Sequence, residues 1–128
     1  MLNQTGIKKT VGIAPNQILA NPQLQFSVGV VVSKECAAKA VVENGRKILK
    51  AGTPLTGNLD ARTTPFTIAT DENVTGVLLH DVDVTDANAN GTLLIFGIVN
   101  MNRLHATAKA LMTDKMRAAL KTVITIAC

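Results

Sequence analysis

Val41-Val42-Glu43-Asn44-Gly45-Arg46-Lys47-Ile48-Leu49 sets an Asn-Gly pair between two short runs of β-formers. A two-residue hairpin of type I′ needs positive φ at both central positions, and Asn-Gly meets that need with least strain. The stretch therefore predicts a hairpin, and Ala51-Gly52-Thr53-Pro54 then turns the chain out of its second strand. Just upstream, Ala37 to Ala40 could open a short helix, but the β-branched pair Val41-Val42 favours continuing strand.

Working outward, Gln25 to Ser33 reads as a strand, with four valines in nine residues. Residues 56–73 are polar and loop-like, with one short strand at Phe66-Thr67-Ile68. Residues 74–84 read as a strand with Val74, Leu78, His80, Val82 and Val84 on one face and Thr75, Asp81 and Asp83 on the other. A turn over residues 85–91 leads into Thr92 to Val99. There simple alternation puts Leu94, Phe96 and Ile98 on one face and Leu93, Ile95 and Val99 on the other. A strand apolar on both faces is central in a two-layer core or lies under a subunit interface, so Leu93, Ile95 and Val99 are the candidate oligomer-interface residues.

After Asn100 the period changes. Leu104, Ala108, Leu111, Met112, Met116, Ala119 and Leu120 recur at three- and four-residue steps, the mark of one helix face. Thr113-Asp114 is a second capping signal that would split the helix in two. Val123 to Cys128 alternates again as a closing strand. The expected fold is α+β: a small β-sandwich or barrel built from hairpins, with a C-terminal helix and a closing strand, over residues 25–128. Residues 1–24, interrupted by Gly6, Gly12, Pro15 and Pro22, read as an extended N-terminal arm. Its alternating piece Lys9-Thr10-Val11-Gly12-Ile13 is suited to pairing with a sheet edge.

Composition narrows the function classes. The chain has 128 residues, 47% of them hydrophobic, enough for one domain with a real core. Its three aromatics are Phe26, Phe66 and Phe96, which argues against a base-stacking nucleic-acid platform. Charge is arranged in blocks: seven Lys/Arg against two acids in residues 1–50, one against six in 51–100, and five against one in 101–128. Such blocks suit complementary contact faces. Cys36 and Cys128 have neither framework nor metal-ligand spacing. No secretory leader or membrane span is legible, so a protein made in the cytoplasm is expected.

The catalytic candidates are thin. His80 and Asp81 are adjacent, but strand parity sends them to opposite faces; His80 reads as a partly buried core histidine rather than a hydrolase base. Ser27 and Ser33 do not sit in a nucleophile elbow. Asp86-Ala87-Asn88-Ala89-Asn90-Gly91 matches the first half of a calcium loop, making Asp86, Asn88 and Asn90 the weak metal candidates. The twelfth position is Gly97 where a bidentate Glu belongs, so a polar hairpin loop is the simpler reading. No cofactor is expected.

Taken in order, Lys50-Ala51-Gly52-Thr53-Pro54-Leu55, Gly76-Val77-Leu78-Leu79-His80-Asp81-Val82-Asp83, Asn88-Ala89-Asn90-Gly91 and Leu94-Ile95-Phe96-Gly97 resemble the core of phage head decoration and head fibre proteins. The order, with the late helix and terminal Ile-x-Ile, is more distantly similar to the lambda-type head decoration protein, over roughly residues 28–128. The resemblance implies a non-enzymatic virion protein. It would bind the exterior of the expanded capsid, commonly as a homotrimer, and clamp neighbouring subunits of the major capsid protein, with neither nucleic acid nor membrane as partner. By the same analogy Lys8, Lys9, Val11 and Ile13 of the arm are the candidate capsid-binding residues, acting by strand addition. The residues alone also fit a free-standing calcium- or carbohydrate-binding module of adhesin type.

Overall fold

The computed structural model describes residues 17–70 and 72–127. Its spine is a 12-residue strand, Ala89–Asn100. In chain order the strands are β1 (Gln25–Val32), β2 (Val41–Glu43), β3 (Arg46–Leu49), β4 (Pro54–Thr56), β5 (Thr67–Ile68), β6 (Gly76–Leu78), β7 (Val82–Asp83), β8 (Ala89–Asn100) and β9 (Val123–Ile126). Two six-residue helices, α1 (Ala106–Leu111) and α2 (Asp114–Ala119), precede β9. The fold is a small α+β domain.

Strands β1, β8, β6, β4 and β5 are neighbours in that order, all antiparallel, and β9 joins β8 in parallel. Phe66, just before β5, bridges to Val32 of β1: its N–H donates to Val31 O at 2.7 Å and its C=O accepts from Ser33 N–H at 2.9 Å. The first and last strands are thereby joined and the sheet closes on itself, which leaves fewer open edges. A second sheet, β2-β3-β7, packs alongside.

The Asn44-Gly45 hairpin is present as the sequence predicts, with φ of 52° and 76° at the two turn residues. Lys34–Lys39, however, is a 3-10 helix rather than strand, started by the Ser33 side chain accepting from Glu35 N–H. That local cap outweighs the β-branched pair, and strand begins only at Val41.

Residues 74–84 are not one strand. The chain leaves the first sheet after Leu78 and enters the second at Val82, because Asp81 turns back to accept from Ala51 N–H at 2.8 Å. His80 is consequently exposed at this corner, not a core histidine. The arm also ends earlier than its composition suggests. Ile18 and Leu19 are fully buried, and Leu19 bridges to Val99.

Two cores result. One fills the closed sheet: Val30, Val32, Cys36, Leu49, Leu55, Phe66, Leu78 and Leu93 are among its members. The other lies on the opposite side of β8, where Leu94, Val99 and Val123 meet Ile18, Leu19, Leu104, Met112 and Met116. The expected helix face thus does its packing, on two helices rather than one. Thr113 caps α2 by accepting from Met116 N–H, as its position predicts.

Candidate interaction surface

Strand β8 is longer than the closed sheet it helps to form, and its second half changes parity. Phe26 pairs with Phe96 but Ser27 pairs with Leu94, so Ile95 is an extra residue, a β-bulge. Its carbonyl accepts from the Thr122 hydroxyl. The bulge offsets the alternation: Leu93 serves the inner core, Leu94 and Val99 share the helix-covered core, and Phe96 and Ile98 fall on the other side. Simple alternation, which grouped Leu94 with Phe96 and Leu93 with Val99, is corrected by this one residue.

Beyond the bulge, β8 is covered by helices on one face only. On the other face Phe26 stands beside Phe96, and Ile98 beside Ile124 in the parallel register, with Ile126 two residues further along β9. Leu24 precedes β1 at the same end. Phe26 is 59% exposed, Ile124 56%, Phe96 46%, Leu24 45% and Ile126 37%. Cross-strand neighbours on one face lie about 5 Å apart, so these side chains are contiguous rather than scattered. The face contains two of the three aromatics of the chain and no charged residue in β9. Contiguous apolar surface of this kind marks a contact with another macromolecule.

Of the interface residues expected from sequence, Leu93 and Val99 are fully buried inside the chain and Ile95 is half-buried at the bulge. They belong to the cores; the exposed face lies next to them. Lys8, Lys9, Val11 and Ile13 lie outside the described residues. Sequence reading missed the exposed face, although one signal pointed to it: Val123 to Ile126 alternates with isoleucine at both 124 and 126 and has no charge of its own, the free edge being met instead by Arg117, which donates to Thr125 O at 3.4 Å.

The calcium-loop candidates do not converge. Asp86 pairs with Arg46 Nη2 at 3.0 Å, Asn88 Oδ1 accepts from Lys34 N–H at 2.8 Å, and Asn90 lies within β8 opposite Val31. Among the described residues no group of three His, Cys, Asp or Glu is placed to hold a metal ion. His105 accepts at Nδ1 from Thr107 N–H as the cap of α1. Cys36 is buried and free, and that burial pushes its thiol pKa up, so it stays protonated at neutral pH.

An open groove runs between β1 and the loop 59–63, with Asp60, Arg62, Thr63 and Asn90 as its polar side chains. Arg62 reaches Gly29 O across it at 3.5 Å.

Electrostatics concentrate on the second sheet. Lys50 Nζ meets Glu43 at 2.7 Å and Asp81 at 3.3 Å, and Arg46 links Asp83 and Asp86. These pairs tie the β2-β3 hairpin to the β7 corner and lie away from β9.

Compared with models of known families and with curated proteins, the chain matches none at a significant level.

Proposed function

We propose that this chain is a non-enzymatic decoration protein, or head fibre base, of a phage capsid. It binds the exterior of the expanded shell as a homotrimer and stabilises contacts between major capsid subunits. The observation that carries this reading is the apolar face over β1, β8 and β9, whose chemistry is that of protein–protein contact. The resemblance in motif order names the class of partner. Of the segments that carry it, Lys50 to Leu55 turns into β4, Gly76 to Asp83 spans β6 and β7, and Asn88 to Gly97 runs through β8 to just past the bulge.

The N-terminal arm supplies the proposed capsid contact, with Lys8, Lys9, Val11 and Ile13 as its side chains. A protein selective for the expanded shell needs contacts that only that state offers.

The test is co-sedimentation with shells of the parent phage that lack this protein, expanded and unexpanded side by side. Saturable binding to expanded shells, near one copy per capsid subunit, is the expected result. Absence of binding to both kinds of shell sinks the proposal.

A further inference from the structure

We infer that the open half of the β1 edge, residues 25–29, accepts an extended segment of the capsid shell protein as an added strand. The shell as the source rests on the decoration reading; the edge, and the chemistry of what fits it, do not.

The seam that closes the first sheet runs along only part of β1. Val31 N–H donates to Arg62 O at 3.2 Å and Val31 O accepts from Phe66 N–H at 2.7 Å, so the Val31 backbone faces away from β8. Backbone groups alternate in direction along a strand, and the extra residue of the bulge belongs to β8, not to β1. Gly29, Ser27 and Gln25 therefore turn their N–H and C=O groups to the same side as Val31. Thr92, opposite Gly29, agrees: its carbonyl accepts from Leu79 N–H on the far side of β8. At Gly29 the groove opens between β1 and the loop 59–63. Among the described residues the 25–29 edge meets one group, Arg62 Nη1, at 3.5 Å from Gly29 O.

The other edges are shorter or already met. β2 has three residues, β5 and β7 two each, and Arg117 reaches the β9 edge at Thr125 O. A run of unpaired backbone groups is a template for another strand. Gly29 adds a second signal. It sits mid-strand among valines without positive φ, and no atom lies within 4 Å of where its Cβ would be. Neither conformation nor internal packing calls for glycine there, and a bare strand position of that kind admits the close approach of another backbone.

Side chains fix what the segment carries. Phe26, 59% exposed, and half-buried Val28 share one face of β1, so the residues of the added strand beside them are apolar. Arg62 is exposed at the groove and forms no ion pair among the described residues, Asp60 of the same groove included. A carboxylate at the Gly29 end of the segment fits that guanidinium.

The experiment is co-sedimentation of the full chain with expanded shells that lack it, for wild type, Ser27→Pro, Gly29→Pro and Val42→Pro. Proline removes the outward N–H and sets its ring where the added strand would lie, leaving the β1–β8 bonds alone. Val42 is the control. Its partner Lys47 donates to Thr85 Oγ1 and accepts from Val84 N–H, so Val42 N–H also faces outwards, in the other sheet. The two β1 variants are expected to bind about tenfold or more weakly with unchanged circular dichroism, and Val42→Pro to bind as wild type. β1 variants that bind like wild type, or a control weakened equally, overturn the inference.

Should the β1 variants lose their fold, hydrogen exchange of wild type decides. Amides 27 and 29 are expected to exchange fast in the free chain and slowly on the shell, and unchanged exchange on the shell overturns the inference. The two readings fail separately. Wild type and both β1 variants bound equally leave decoration standing without the added strand. Wild type bound to no shell sinks decoration, and overlapping peptides of the shell subunit then decide the edge: one that slows amides 27 and 29 keeps it, and none doing so overturns it.

Discussion

The carboxylate of Asp83 accepts from the Thr85 hydroxyl at 2.6 Å, the Thr85 N–H at 3.0 Å and Arg46 Nε at 2.8 Å. The Thr85 hydroxyl in turn accepts from Lys47 N–H, so one acid organises the junction of β3 and β7. These bonds to Thr85, then the Arg46 guanidinium, pull the Asp83 pKa from 3.8 down to about 2. The folded state therefore binds fewer protons than the unfolded state between those values. The stabilisation is whole above about pH 4 and is lost as pH falls through 2. Wild type is expected to melt above Asp83→Asn at neutral pH, and the two melting temperatures should converge towards pH 2. A constant gap down to that pH would remove Asp83 from the acid response. At the same scale, a Cβ on Gly76 would stand 2.6 Å from Leu94 O, a backbone atom that cannot swing aside. Gly76→Ala should cost about 1–3 kcal/mol in a denaturant titration. An unchanged midpoint would mean β6 is free to shift.

Elements with a local chemical signal were legible in the sequence. Asn44-Gly45 dictates its turn through backbone sterics alone, and Thr113 its cap through one hydroxyl. Thr113→Ala should lower stability by about 1 kcal/mol, read from the denaturation midpoint, because the Met116 N–H loses its partner. No loss would mean that water replaces the hydroxyl. Elements decided by distant partners were not legible. Nothing in Leu93-Leu94-Ile95-Phe96 announces an extra residue; the bulge exists because β1 pairs on both sides of it and Thr122 serves the Ile95 carbonyl from across the sheet. The break at Leu79–Asp81 likewise depends on Ala51, thirty residues upstream. The exposed face followed the bulge out of view, since alternation through Ile95 assigns Phe96 to the wrong side.

At the scale of the whole molecule the same division holds. Alternation and the late helical period sufficed for an α+β domain, whereas closure of the sheet through Phe66 depends on a contact between residues 32 and 66 that no local pattern encodes. The boundary between arm and body is the other long-range feature, and it decides what a truncation of the N-terminus removes. Ile18 and Leu19 are buried against Val99 and the helices; Asn100 N–H donates to Ile18 O at 2.8 Å, Ala20 N–H to Ile98 O at 2.9 Å, and Arg103 Nη1 to Leu19 O at 2.9 Å. Removing residues 1–20 deletes two buried side chains, each worth about 1.5–3 kcal/mol, together with these bonds. It also uncovers the floor of the helix-covered core. Removing residues 1–16 leaves all of that in place. The longer deletion is thus expected to melt many degrees below the shorter one, both followed by circular dichroism. Shell binding then separates attachment from folding. If the arm carries the capsid contact, the shorter deletion should weaken co-sedimentation while its circular dichroism still reports the folded body. Unchanged shell affinity in that variant would take the arm out of the attachment and move the capsid contact onto the body.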